Sequence, residues 1–297
     1  MRAADIPKPA IIAAGIAAIL AVGLALEGGR SPTASWEGAW LGQAYRALLV
    51  HTTRGAGIIE DSTVTIEDPA TDSTAKIDAY LMRAETYLGS DQWGMAERDL
   101  RAAFRLKPAG QQLEWYWMLQ ADIATFKNRD LEAAADYSKA AAATPDDPGA
   151  RFIAQFCRGA AERRAANFAS SISDYDAALS GEKAMTRLMP RILSSLDEKS
   201  RRRAQAQFDR ATKIWRASLL RARAETWRAE ARYDDALRDY TKAISLMPRD
   251  PKLFAGRGQT QFLRGDWRAG FADLLAATSL SFAGRPLRND RTVACGP

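Results

Sequence analysis

A residue signature recurs at two distant places in the chain and constrains the fold more than any other feature. Segment 223–248 reads Arg-Ala-Glu-Thr-Trp and continues with Tyr233, Ala236, Tyr240, Ala243 and Pro248. Segment 83–108 reads Arg-Ala-Glu-Thr-Tyr and continues, at the same spacings, with Trp93, Ala96, Leu100, Ala103 and Pro108. Two unrelated amphipathic helices would not share residue type and spacing over so long a stretch. The chain therefore repeats one structural unit, which predicts a stacked array.

The signature resembles the tetratricopeptide repeat (TPR), a helix-turn-helix unit of about 34 residues. Small residues such as Ala84 and Ala96 let two helices approach to about 8–10 Å, and aromatic residues fill the space between successive hairpins. The resemblance implies an all-α protein, a right-handed α-solenoid of helical hairpins. Such a fold would occupy residues 74–282.

Five units fit the pattern to different degrees: about 77–108, 114–145, 152–183, 217–248 and 251–282. The stretch 183–216 is long enough for a sixth, but it has Pro190 where a small residue is expected and replaces the Ala-aromatic-Ala triplet with Arg202, Ala206 and Asp209. Two interpretations remain open for it, a degenerate hairpin or an extended first helix. Residues 283–297 are interpreted as a polar tail.

The N-terminal region predicts a membrane anchor. Residues 10–26 carry no charge and as a helix would span about 26 Å, the short end for a hydrocarbon core of about 30 Å. Arg2 and Lys8 precede this segment, which favours a cytoplasmic N-terminus at 1–9 and a single-pass protein of the inner membrane with its body on the periplasmic side. A cleaved signal peptide and a buried helix are the alternatives. Residues 27–73 are interpreted as a short helix at 36–50 and a linker from 52 onward.

The net charge of +6 is regional. Segment 182–232 contains fourteen Lys/Arg against six Asp/Glu, including the run Lys199–Arg203. A charge run on a helix is most often a solvated face, although contact with anionic lipid head groups stays open. Nucleic acid is disfavoured as a partner, because an exported protein seldom meets it.

The residue types that carry chemistry are sparse. His51 is the only histidine, and no Cys or carboxylate cluster at ligand spacing accompanies it, so no metal site is predicted. No glycine-rich phosphate loop or nucleophile elbow occurs. Cys157 and Cys295 lie in unrelated contexts, and two independent thiols are favoured over a disulfide. We therefore expect a protein without cofactor that is not an enzyme; an enzyme with an unrecognised site is a remaining alternative.

The resemblance implies instead that the first helices line a concave groove for peptide segments of other proteins. The groove-facing positions projected onto this chain are Leu81, Met82, Glu85, Trp115, Met118, Leu119, Asp122, Phe156, Arg163, Arg221, Glu225, Arg228 and Lys252. Their N-terminal half is apolar, and their C-terminal half is rich in arginine.

These positions predict a scaffold that binds a partner segment with acidic residues, in the assembly of an envelope complex. The donors with which some relatives hold a chaperone's C-terminal carboxylate are absent, because Asp78, Trp115 and Ser218 occupy those places. An assembly protein that self-associates through the basic stretch 183–216 is the alternative.

Overall fold

The computed structural model describes residues 55–195 and 197–283, and the regular elements in these ranges are helices. In chain order they are α1 Gly55–Glu67, α2 Ser73–Gly89, α3 Trp93–Arg105, α4 Gly110–Phe126, α5 Asp130–Ala143, α6 Pro148–Arg164, α7 Phe168–Ile192, α8 Glu198–Ala229, α9 Tyr233–Leu246, α10 Pro251–Arg264 and α11 Trp267–Ala283. A 3-10 turn, Leu193–Ser195, follows α7. Short connections pair helices α2 to α11 into five successive hairpins, hairpin 1 (α2 and α3) through hairpin 5 (α10 and α11).

The hairpins stack in a single file. Each helix packs on the next one along the chain, and the first helices of neighbouring hairpins also touch each other, from α2 against α4 to α8 against α10. Among the described residues, no two second helices make comparably extended contact. The first helices therefore lie closer together and form the inner side of the array.

The turn inside each hairpin has the same backbone geometry. One residue of every turn is left-handed: Asp91, Asn128, Ala166, Ala231 and Gly265 have φ between 55° and 94°. Glycine is favoured there, and only the last hairpin has it. The small residues that precede these turns in the first helices, such as Ala84 and Ala224, are fully buried where the two helices cross.

An arginine–aspartate pair, sixteen residues apart, joins the two helices of four hairpins. The pairs are Arg83–Asp99, Arg158–Asp174, Arg223–Asp239 and Arg257–Asp273. In each, guanidinium Nε and Nη2 donate to the two carboxylate oxygens, with Nε···Oδ2 distances of 2.7 to 2.9 Å. The hydrogen bond to aspartate raises the pKa of Arg83, Arg158 and Arg257. The aspartates are buried, so the bidentate geometry compensates their desolvation.

The same arginines also reach the preceding helix. Their Nη1 atoms donate to a hydroxyl of that helix in three cases: Arg83 to Thr63 at 2.7 Å, Arg158 to Ser138 at 3.0 Å, and Arg257 to Thr241 at 3.3 Å. In hairpin 4 the acceptor is the carboxylate of Asp176 instead. Each of these four side chains therefore holds three helices together.

Hairpin 2 is the exception. Gln120 occupies the arginine's place and donates to the hydroxyl of Tyr116 at 2.8 Å, while Asp136 pairs with Lys139 at 2.7 Å. Aromatic contacts join this hairpin to the one before it. The rings of Phe104 and Tyr116 are 4.9 Å apart, as measured between centroids. At this junction ring packing takes the place of the arginine link, and the Lys127–Glu97 ion pair also joins the two hairpins.

Residues 55–67 correct the interpretation of 52–73 as an irregular linker. They form α1, which packs on α2. Ile59 lies against the hairpin 1 core, and Thr63 accepts the hydrogen bond from Arg83. The Thr- and Gly-rich composition suggested a loop, but tertiary contacts hold the segment as a helix.

Residues 183–216 do not form a hairpin of their own. Helix α7 has 25 residues where α3, α5 and α9 have 13 or 14, and α8 has 32 where α2, α4 and α6 have 17. The extended first helix is thus the correct alternative, and α7 is extended as well. Asp197 caps α8 by accepting from the amides of Lys199 and Ser200, at 3.0 and 3.1 Å.

The two extended helices are tied together where an ordinary hairpin would end. The buried carboxylate of Glu182 on α7 accepts from Nε and Nη2 of Arg216 on α8, at 2.7 to 2.9 Å. Ala204, Phe208 and Ala211 follow at helical spacing on the buried face of α8. The basic residues Lys199, Arg201, Arg202 and Arg203 are on the exposed part of this pair or at its edge, as a solvated helix face predicts.

The terminal predictions fall largely outside the described ranges. Residues 1–54, which include the predicted anchor 10–26 and His51, and residues 284–297 are not described. Within 55–195 and 197–283, no helix is both long enough and apolar enough to cross a membrane.

The structure corrects the expectation for Cys157. This side chain is fully buried in α6, and it is disulfide-bonded rather than an independent thiol. Cys295 is the only other cysteine in the chain.

Candidate protein-binding groove

The inner face of the array is built from the first helices α2, α4, α6, α8 and α10. Glycines in these first helices allow aromatic side chains of the second helices to approach them closely. A Cβ on Gly256 would lie 2.5 Å from Cε1 of Tyr240, and one on Gly159 would lie 2.9 Å from Cε1 of Tyr175. Only glycine leaves room for these two rings, which reach from α7 and α9 toward the inner face.

Most apolar residues predicted for the N-terminal half of the groove are packing residues. Leu81, Trp115, Met118 and Leu119 are buried in the cores of hairpins 1 and 2. Met82 and Phe156 are half-buried and keep some accessible surface. The apolar anchors expected near Trp115 and Met118 therefore have little surface to offer a partner.

Polar side chains mark the N-terminal half instead. The indole Nε1 of Trp115 donates to Glu85 Oε2 at 3.1 Å, and the hydroxyl of Tyr137 donates to Asp122 Oδ1 at 2.8 Å. Burial raises the pKa of Tyr137 well above its ordinary value, and the negative charge of Asp122 adds to the effect. Asp78 accepts from Gln112 at 2.9 Å. This end of the groove carries carboxylates held by aromatic and amide donors.

The C-terminal half contains three guanidinium groups and one carboxylate, and two of the guanidiniums lie near that carboxylate. Glu225 Oε2 lies 3.6 Å from Arg163 Nη2, and Glu225 Oε1 lies 3.9 Å from Arg221 Nε. Arg228, on the next turn of α8, donates from Nη1 to Gln259 Oε1 of α10 at 2.8 Å. We call Arg163, Arg221, Glu225 and Arg228 the arginine cluster. Its net charge is positive, because it contains three cations and one carboxylate.

Two tyrosines lie beneath the arginine cluster. Burial raises the pKa of Tyr175 to about 12, against the opposing effect of nearby Arg163. Burial also raises the pKa of Tyr240 to about 12, and Arg228, Arg221 and Arg163 act on it in the opposite direction. Both hydroxyls therefore stay neutral at physiological pH and can donate a hydrogen bond.

Two buried polar atoms lie in or beneath the cluster. Arg163 Nε and the hydroxyl of Tyr175 make no hydrogen bond of good geometry among the described residues, and Arg163 lies close enough to Tyr175 to lower its pKa. The long distances to Glu225 leave Arg163 and Arg221 only weakly neutralised. An acidic side chain or a terminal carboxylate would pair with the exposed parts of these two guanidiniums.

The structure thus distributes the predicted residues unevenly. Arg163, Arg221, Glu225 and Arg228 come together from two hairpins, whereas Lys252 lies exposed at the start of α10. Their contact with a partner stays a prediction. The sequence analysis did not identify Tyr175, Tyr240 and Gln259 as neighbours of the cluster. The tyrosines were interpreted only as packing residues of the repeat. The glycines opposite them were the signal that could have indicated a closer approach.

Neither catalytic nor metal-binding geometry was expected. Within the described ranges no group of three or more His, Cys, Asp or Glu side chains is arranged to hold a metal ion.

The fold resembles solved structures over most of its length. BtubC (BKLC) from P. vanneervenii superimposes with a TM-score of 0.57 at 15% sequence identity, covering 80% of this chain and 96% of that one. The C-terminal part of a TPR repeat-containing protein from Cytophaga hutchinsonii gives 0.53 at 13% identity, with 81% and 79% covered. The fold is a TPR-like α-solenoid. The sequence matches no family model and no curated protein.

Proposed function

We propose that this protein is a scaffold that binds a segment of another protein along the first helices of its solenoid, with acidic residues of that segment on the arginine cluster. The observation that carries the proposal is the excess of three guanidiniums over one carboxylate, from which Arg163 and Arg221 lie 3.6 and 3.9 Å away. Such charges chiefly accelerate association and fix the orientation of the bound segment.

The carboxylates at the other end of the groove extend the proposal. Glu85 and Asp122 in hairpins 1 and 2 and Arg221 and Arg228 in hairpin 4 are partly exposed on first helices, and the proposal takes these positions as lining the groove. A bound segment with acidic residues at one end and basic residues at the other would match this polarity in one direction only. Mismatched charges would disfavour the reverse orientation.

The proposed location is the periplasmic side of an inner membrane, with residues 10–26 as a single-pass anchor and, as an alternative, a cleaved signal. The charge pattern around 10–26 supports this orientation. The disulfide at Cys157 supports an oxidising compartment, because disulfides persist outside the cytoplasm and are rare within it. The proposed role at this location is that of a scaffold in assembling an envelope complex, without catalysis or cofactor.

The test uses the full chain in a mild detergent and a fluorescent glutamate-rich peptide as the probe. The double variant Arg221→Glu/Arg228→Glu should weaken binding at low salt by at least about tenfold, and the loss should shrink as salt screens the cluster. The matched control, Arg101→Glu/Arg210→Glu, reverses two exposed charges outside the cluster and should bind as the wild type does.

The variants must also be shown to fold, by their helical circular dichroism and thermal unfolding. Equal peptide binding by wild type and by the folded Arg221→Glu/Arg228→Glu variant at every salt concentration would refute the role of the cluster. In cells, a photo-crosslinking residue at position 228 should then capture the natural partner, and the same residue at 101 should not.

A further inference from the structure

The last helix of the array exposes a stripe of large apolar side chains. Trp267, Phe271 and Leu275 follow one another at single-turn spacing on α11, and 63%, 59% and 68% of their respective surfaces are accessible. Leu263 of α10, 57% exposed, lies at the same end of the array. Half of the large apolar side chains that are exposed in the described residues belong to hairpin 5.

The orientation of α11 is fixed from its inner side. Asp273 is paired with Arg257, and a Cβ on Gly258 would lie 3.0 Å from the carbonyl oxygen of Gly270, so α10 and α11 are in close contact. The ring of Phe262 supports the stripe from below, with centroids 5.3 Å from Trp267 and 5.0 Å from Phe271. The outward direction of the stripe is therefore a rigid property of the hairpin.

Comparison with hairpin 1 shows what this face does elsewhere in the array. Trp93 is the counterpart of Trp267, and its ring lies 3.7 Å, between centroids, from Phe126 of the following hairpin. Glu97 is the counterpart of Phe271 and pairs with Lys127 of the following hairpin. No described hairpin follows hairpin 5, and the aromatic Phe271 occupies the position that Glu97 has in hairpin 1.

We propose that α11 is the interface between two copies of this chain, related by a twofold axis that passes near Phe271. Trp267 and Leu275 lie one turn to either side of Phe271, so an antiparallel pairing of two α11 helices places the large ring of one copy opposite the smaller side chain of the other. Such a face is self-complementary, as a twofold interface requires. Arg268 is the only charged residue among the exposed residues of α11, so little charge must be desolvated.

The area is consistent with a specific dimer. With roughly 200 Å² for each large side chain, the four exposed residues present on the order of 500 Å² per copy. Pairing two copies would then bury about 1,000 Å², the size from which specific interfaces begin. Residues 284–297 of the same chain are a poor cover, because Leu287 and Val293 are their only large apolar residues, among three arginines.

The first experiment measures the protein mass of the full chain in mild detergent by light scattering coupled to size exclusion, with the detergent contribution subtracted. The wild type should be a dimer at micromolar concentration. Phe271→Glu should be a monomer, with dimer affinity lowered by at least about tenfold. Leu131→Glu alters an equally exposed leucine on α5 and should remain a dimer.

The second experiment tests the symmetry. Phe271→Lys alone should also be monomeric, but an equimolar mixture of Phe271→Lys and Phe271→Glu should form a dimer that contains one copy of each, because the twofold axis brings position 271 against itself. A head-to-tail contact would not be restored by this mixture, and failure to restore it would overturn the proposed symmetry.

A monomeric wild type would overturn the proposal itself. Hydroxyl-radical footprinting would then identify the cover: protection of Trp267 and Phe271 in the monomer would assign the face to the chain's own terminal segments, and protection only on addition of another protein would assign it to that partner. This proposal does not depend on the arginine cluster, since Arg221→Glu/Arg228→Glu should leave the dimer intact.

Discussion

Replacing Gly256 with alanine tests the close approach that sets the floor of the groove. The added Cβ would lie 2.5 to 2.6 Å from Cε1, Cζ and the hydroxyl oxygen of Tyr240, whose side chain is almost completely buried. Overpacking of this kind typically costs about 1–3 kcal/mol, whereas alanine gains about 1 kcal/mol over glycine inside a helix. The two effects oppose each other, so a control must separate them.

Gly181 supplies that control, because it lies inside α7 and its added Cβ would meet nothing closer than Phe152 Cβ at 3.8 Å. We expect Gly181→Ala to raise the free energy of unfolding. The free energy of unfolding of Gly256→Ala should be lower than that of Gly181→Ala by about 1–3 kcal/mol. For a chain of this size each kcal/mol shifts Tm by about 2–4 °C, which circular dichroism resolves.

A double-mutant cycle completes the argument. Tyr240→Leu removes the ring that the new methyl group would strike, so Gly256→Ala should cost less in that background than in the wild type. Equal stability of Gly256→Ala and Gly181→Ala, or the same cost with and without the Tyr240 ring, would refute the steric reasoning.

Two further predictions concern single side chains. Peptide mapping without reductant should yield a disulfide-linked peptide that joins Cys157 to Cys295; free alkylation of Cys157 in the unreduced, denatured chain would contradict the bond. Tyr175 should make the fold sensitive to alkali: its pKa is about 12 in the folded state against 10.0 ordinarily, so the protonated form stabilises the fold below pH 10 and this contribution is lost as the pH rises from 10 to 12. Tyr175→Phe should reduce the loss of stability over that window, measured by urea unfolding at each pH, and an identical pH profile would count against the burial of the hydroxyl.

The fold could be predicted from the repeat pattern, because the features that the pattern encodes are local. Ala84, Ala224 and their equivalents permit the helix crossings, and the aromatic positions fill the space between hairpins. The structure confirms an all-helical, TPR-like solenoid. The sequence analysis did not identify the aspartate of each arginine–aspartate pair, because a buried acid departs from the hydrophobic pattern. Its constant position, sixteen residues after the arginine, was the signal that could have identified it.

Other parts of the structure depend on contacts that composition does not report. The stretch 198–229 contains neither glycine nor proline, which agrees with the extended first helix, one of the two interpretations left open for 183–216. Helix α1 is held by Ile59 and Thr63 against hairpin 1. In the groove, helical position alone could not separate buried Trp115 from partly accessible Arg221, because neighbouring hairpins decide which side chains are covered.

The four arginine–aspartate pairs affect how the array unfolds. An arginine that bonds its own hairpin and the helix before it makes the opening of one hairpin cost bonds in two, which raises the coupling between neighbours in a one-dimensional array. Gln120 breaks this series, so the junction before hairpin 2 is held by stacked rings such as Phe104 and Tyr116 and by the Lys127–Glu97 ion pair. Along its length the protein is thus a set of arginine-coupled hairpins with one junction that lacks this coupling. A partner that spans this junction would bridge two segments that are each coupled within themselves.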